Sequence, residues 1–320
     1  MLIQNQIPDI KKEIKKKDLL DLIESEYSTL GPQWLNSQME WLNNIYASFN
    51  DHDKFLIVIY LFKKTLDFYS RNFIKLTYKD CYENDTVEIA DFNVAEVAKA
   101  LNIPKESARR KIKELEGMGV IKRYKKKIVI DRSCFVFIKP VKTIIRIARF
   151  LSVLSKLCVD SKILPKNIPS EKIELVINKN FSYIWKIYYE MQMSMMISYK
   201  KIFKDLETFH IFGTCAVNQH LHSQIINKET MNRDKFFNSL SSKKIQGINA
   251  MSISDITGIP RATVIRKLQR LVKMNNLTIN DKKLYKVSGI FSNEIKVRQK
   301  IVLGNLADFS AKTFNFAAHY

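Results

Sequence analysis

The chain has 320 residues, 46% of them hydrophobic, with only 8 glycines and 7 prolines; this excludes disorder throughout and argues against a many-stranded sandwich or barrel. Its 53 basic and 32 acidic residues leave a net charge of +21, which points to a polyanionic partner, nucleic acid first and an anionic membrane second. The four cysteines form no CxxC pair, and the apolar run FLIVIYLF (Phe55–Phe62) is far shorter than the ~20 residues of a spanning helix, so we expect reduced thiols, no transmembrane segment and a cytoplasmic, nucleoid-associated protein.

Residues 1–50 read as an N-terminal arm and helices. The run KKEIKKKD (Lys11–Asp18) suits a solvated helix face or a frayed arm, with phosphate contact as the lesser reading. Trp34, Met39, Trp41 and Leu42 suggest a docking helix. Residues 51–135 read as a first domain. Its apolar positions are dense from Phe55 to about Ile74, and a capping-box form follows at Asn93-Val-Ala-Glu96. A short helix then spans Val94–Leu101. Asn102-Ile103-Pro104 makes a turn, and Pro104 opens a second helix that stops at Gly117-Met118-Gly119. Val120–Tyr124 and Lys127–Asp131 flank a lysine turn and form a hairpin.

Residues 136–180 read as a connector helix, Val141–Leu157, and a linker with two prolines, Asp160–Lys172. Residues 181–300 read as a helical segment and a second domain. The stretch Tyr188–Phe203 is apolar almost all round, so it serves as core, as a homodimer seam or, third, as a ligand pocket. Ser252-Ile-Ser-Asp255 has the form of another capping box, and a second turn and basic helix run from Gly258 to about Lys273. Asn280-Asp281 turns a second hairpin. Residues 301–320 read as an aromatic C-terminal tail.

The second domain repeats the first. Residues 97–131 align without gaps to 253–287, an offset of 156. TGIPRATVIRKL (Thr257–Leu268) faces LNIPKESARRKI (Leu101–Ile112). Ala108, Ile112 and Leu115 form one buried helical stripe, and Val264, Leu268 and Leu271 repeat it. Asn102 and Gly258 stand where the turn needs a left-handed residue. The charge concentrates here too. Residues 99–127 hold 11 basic and 3 acidic residues, and residues 260–286 hold 8 and 1, so 15 of the 21 net charges fall on the repeat. Drift toward lysine from AT-rich coding does not concentrate charge in this way.

The outward residues of the first copy are Lys105, Ser107, Arg109, Arg110 and Lys113. Those of the second are Arg261, Thr263, Ile265, Arg266 and Gln269, with Arg270 close by. A basic helix after a tight turn suits the major groove, where arginine bonds guanine bidentately. The hairpin lysines, Lys125, Lys126 and Lys127 in one copy and Lys282 and Lys283 in the other, suit phosphates. Ile265 suits either a thymine methyl or internal packing.

On these residues, each copy resembles a winged helix-turn-helix domain of the kind found in bacterial IclR- and MarR-type regulators, over about 35 residues per copy. The resemblance implies a mainly α fold with small β-hairpin wings, two winged helix-turn-helix domains joined by helices, and transcriptional regulation through double-stranded DNA. It leaves the effector unknown. Two alternatives stay open: a plasmid-type replication initiator, and a winged-helix protein–protein module of a chromosome-organising complex.

No other constellation carries chemistry. His220 and His222 lie on different faces of a helix, so with Cys215 they make no metal site. There is no glycine-rich phosphate loop and no nucleophile–base pairing. We expect no enzyme activity, no cofactor and no metal.

Overall fold

A computed structural model describes residues 13–125, 127–134, 140–226, 229–240, 242, 244–288 and 293–318. The chain is mainly helical, with five short antiparallel strands among the described residues. Helices α1 (Lys16–Ser25), α2 (Tyr27–Phe49) and α3 (His52–Arg71) lead to a short α4 (Tyr78–Tyr82) and strand β1 (Thr86–Ile89). Then come α5 (Val94–Leu101), α6 (Lys105–Gly117), β2 (Ile121–Tyr124) and β3 (Lys127–Asp131). Three helices follow, α7 (Pro140–Asp160), α8 (Ser170–Lys179) and α9 (Phe181–Phe203). The last section holds α10 (Leu206–Ile226), α11 (Arg233–Ser239), α12 (Ala250–Thr257), α13 (Arg261–Lys273), β4 (Leu277–Ile279), β5 (Tyr285–Val287) and α14 (Asn293–Ala318).

Helix α9 is the axle. It is apolar on nearly every face and packs on α3, α10 and α14. Tyr188, Met191, Met195, Met196 and Phe203 are all buried, so the Tyr188–Phe203 surface that could have formed a dimer seam lies inside this chain. Phe181, Trp185 and Tyr188 pack ring against ring along it, with centroids 5.0 and 4.7 Å apart. The segment expected as an aromatic tail is the second half of α14. Its Phe309 and Phe314 are fully buried, because α14 packs against α1, α8 and α9.

Helix α2 shows how a helix-breaking residue is accommodated. Pro32 sits inside it and has no N–H for the carbonyl of Ser28. That carbonyl instead accepts the Gln224 side-chain amide of α10 at 2.9 Å. Ser28 also bonds Met231 twice: its N–H donates to the Met231 carbonyl at 3.1 Å, and its hydroxyl oxygen accepts the Met231 N–H at 2.8 Å. A freed backbone acceptor thus becomes a tie to the second half of the chain.

The repeat extends beyond the span found by alignment. In the first half, helix α3, strand β1, helices α5 and α6 and the β2–β3 hairpin follow in order, and the sheet is ordered β1-β3-β2. The second half runs α10, Ile248, α12, α13 and β4–β5. Ile248 bridges Tyr285 of β5 in an antiparallel sense, so it stands where β1 stands in the first half. Helices α5 and α12, and α6 and α13, correspond at the 156-residue offset. The left-handed positions correspond as well, with the residue types exchanged. Asn102 (φ 51°) matches Gly258 (φ 71°), and Gly119 (φ 73°) matches Asn275 (φ 57°). Two turns in each copy demand positive φ, and each copy meets one with Gly and one with Asn.

Two local expectations change. Helix α12 starts at Ala250 and is capped by Asn249, whose Oδ1 accepts the Ser252 N–H at 2.9 Å, so Ser252 opens no capping box. Pro104 is the N-cap residue of α6 rather than its first helical residue, so the helix begins one position later than expected, at Lys105, and Pro260 caps α13 in the same way. Asn93 does cap α5, accepting the Ala95 N–H at 2.7 Å, while Glu96 takes Tyr60 and Lys64 at 2.9 Å each.

Candidate nucleic-acid interface

Helices α6 and α13 are held by their apolar stripes. Ala108, Ile112 and Leu115, and Val264, Leu268 and Leu271, are all buried. The same backbone bonds recur around them. Ala108 N–H reaches the Pro104 carbonyl at 2.9 Å and Val264 N–H the Pro260 carbonyl at 3.0 Å. Burying one stripe fixes which residues face water. In α6 these are Lys105, Arg109, Arg110 and Lys113, with Ser107 half-buried. In α13 they are Arg261, Arg266 and Gln269, with Thr263 and Ile265 half-buried.

The two surfaces differ in charge. Acids interleave the α6 cations: Arg109 pairs with Glu106 at 3.0 Å and Arg110 with Glu114 at 3.6 Å, though Arg110 keeps 70% of its side chain exposed. Helix α13 contains no acidic residue. On the first hairpin, Lys125 and Lys127 are exposed, and Lys126 lies outside the described residues. On the second, Lys282 and Lys283 are exposed, with Lys283 at φ 57° in the tip turn. That tip is closed by Asn280, whose Oδ1 accepts the Leu284 N–H at 2.9 Å.

Lys111 and Lys267 are identical in the two copies and face inward. Lys111 Nζ is ion-paired with Asp51, the N-cap of α3, and is 4.0 Å from Asp53. Lys267 Nζ is 2.6 Å from Asp205 and 3.8 Å from Glu207, at the start of α10. Asp205 accepts the Thr208 N–H at 2.7 Å, as Asp51 accepts the Asp53 N–H at 2.8 Å. Helices α6 and α13 are therefore each pinned by one lysine to the capped start of the first helix of the same unit. Arg270 also turns to Asp205, at 3.5 Å, which places it on the inner side of α13 rather than among the outward residues. Sequence reasoning missed these acids because Asp51-His-Asp53 and Asp205-Leu-Glu207 match at an offset of 154, two less than the rest of the repeat. Sliding the frame by two residues exposes them.

The two anchors meet. His52 Nε2 and His210 Nδ1 are 3.1 Å apart, and His210 Nε2 is 2.7 Å from Asn43 Oδ1 of α2. The Asn43 oxygen needs a donor, so His210 carries its proton on Nε2, and its Nδ1 accepts from His52 Nε2–H. Both rings are then neutral. Burial pushes the His52 pKa down to about 4, against the weaker pull of Asp51 and Asp205, and burial beside His52 pushes His210 well below the usual range. Lys200 of α9 closes the junction from a third side, 2.8 Å from Asp53. Burial alone raises the Asp205 carboxyl, but hydrogen bonds from Lys267 and Thr208 outweigh it and hold the pKa below its ordinary value. Glu207 has no such bonds, and burial lifts it above its own. The two units are thus joined through buried polar contacts.

Comparison with family models, curated proteins and solved structures finds no match. Among the described residues there is no cluster of three or more His, Cys, Asp or Glu that could hold a metal, and no helix long and apolar enough to cross a membrane. His220 is buried with its ring edge-on to Phe236, centroids 5.0 Å apart, which is a packing role.

Proposed function

We propose that the chain is a double-stranded DNA-binding protein with two winged helix-turn-helix heads, α6 with the β2–β3 wing and α13 with the β4–β5 wing, and that it regulates transcription. One observation carries the reading: the same helix–turn–helix–hairpin unit occurs twice, and in both copies the outward residues of the second helix and the hairpin tip are basic. A protein-interaction module built on this unit has no need to keep arginines and lysines at those positions twice over. The heads read different half-sites, since Arg109 and Lys113 of one correspond to Ile265 and Gln269 of the other.

The test is selection of bound sequences from random duplex DNA by the full chain, by Arg110→Ala and by Arg266→Ala. The expected result is a long, non-palindromic site in which each variant loses a different half. Binding should also weaken by orders of magnitude between about 50 and 200 mM salt, as several phosphate contacts require. No enrichment of any sequence, together with salt-independent affinity for the pool, would sink the proposal.

A further inference from the structure

A slot of about 80 Å³ runs between α2, α9, α10, α11 and α14. Its walls are mostly aromatic and aliphatic, among them Trp34, Met195, Tyr199, Phe212 and Leu303. Close helix packing makes it narrow. A Cβ at Gly213 of α10 would collide with the Met39 side chain of α2, whose thioether packs directly on the bare backbone there.

Two polar side chains on the wall are unsatisfied. Gln38 is 4% exposed and its Oε1 meets no hydrogen-bond donor among the described residues. His220 is 3% exposed and its Nδ1 is likewise unpartnered. Buried polar atoms are rarely left unpaired, because each costs its full desolvation penalty. An apolar slot with one or two placed polar groups is the usual form of a small-molecule site.

We infer that this slot binds a small, flat, neutral aromatic molecule carrying one N–H or O–H donor, which Gln38 Oε1 accepts. Gln38 can only accept through that oxygen, so the ligand must donate there. A charged ligand is disfavoured, because the apolar walls would have to desolvate it. The site includes part of the Met- and aromatic-rich helix α9, through Met195 and Tyr199. It shares helix α10 with the second head: Phe209 lines the slot one turn from Asp205, which anchors α13. Ligand binding itself is read without DNA, so this inference stands apart from the DNA-binding reading.

The experiment titrates indole and toluene into the full chain by calorimetry, with thermal denaturation as the check on folding. Indole offers the donor and toluene does not. Saturable indole binding is expected in the wild type, and Gln38→Leu should weaken it on the order of tenfold while leaving toluene binding equal or stronger. Ala216→Leu, which narrows the slot from α10, should weaken both probes. Absence of saturable indole binding to the folded wild type overturns the inference, and so does unchanged indole affinity in folded Gln38→Leu.

Discussion

The first and second units share a frame and diverge in how they use charge. In the first, three acids on α6 (Glu106, Glu114 and Glu116) sit among its five cations, and β1 completes a three-stranded sheet. In the second, α13 carries five cations and no acid, but Lys267 and Arg270 turn inward to Asp205, and the third strand shrinks to the single bridge at Ile248. The buried residues and the two left-handed turns answer to one backbone, so they match. The outward residues answer to whatever lies outside the protein, so they are free to differ.

If the frame is shared, equivalent core truncations should cost alike. Leu115→Ala and Leu271→Ala each remove a fully buried leucine, and each should lose about 3 kcal/mol in chemical denaturation. A twofold or greater disparity would mean the cores are not equivalent.

Acid should act on the second unit and the junction more than on the first. His52, His210 and His220 are fully buried and neutral, with pKa values pushed down by burial, to about 4 for His52 and about 3 for His220. The unfolded chain takes up protons near pH 6.5 while the folded chain does not, so stability is complete above that pH and falls as the pH drops toward 4. Between pH 7 and 6 the loss should be roughly 0.7 kcal/mol for each of His52 and His220. A denaturation midpoint that does not move over that interval would contradict the neutral, buried assignment.

The anchors should be equivalent too. Asp51→Ala and Asp205→Ala each remove a helix cap and a lysine partner, and each should cost about 1–2 kcal/mol of stability. Loss in only one of the two would limit the 154-residue correspondence to coincidence.

The smallest expected effect bears on the divergence. Arg110 is ion-paired with Glu114 of its own helix, whereas α13 carries no acid to pair with Arg266. In duplex-DNA binding followed by anisotropy, Arg266→Ala should weaken affinity about tenfold and Arg110→Ala about threefold. The reverse order would place the dominant contacts on the first head.

Much of this was legible in the sequence. The paired motifs LNIPKESARRKI and TGIPRATVIRKL locate both helix–turn–helix elements, because turns and buried stripes impose local rules on residue type. Asn280-Asp281 locates the second hairpin for the same reason. Strand β1 was not legible. Thr86–Ile89 is four residues long and acquires its identity from pairing with β3, a non-local event. The equivalence of α3 and α10 was hidden as well. A two-residue shift conceals the Asp51/Asp205 match. The inward turn of Arg270 depends on an acid 65 residues away, which helical periodicity alone cannot place.

The His52–His210 junction ties the two units directly to each other through a buried contact. A flexible tether would tolerate many spacings between half-sites, at the cost of searching among them. A fused pair accepts one spacing and one rotational phase. If the chain binds DNA as proposed, inserting about five base pairs between the half-sites turns one half to the opposite side of the duplex, and about ten restores the side but lengthens the span. For a DNA-binding protein built this way, both insertions are fatal to two-headed binding. On the DNA-binding proposal, the chain would act as a caliper, set when it folds.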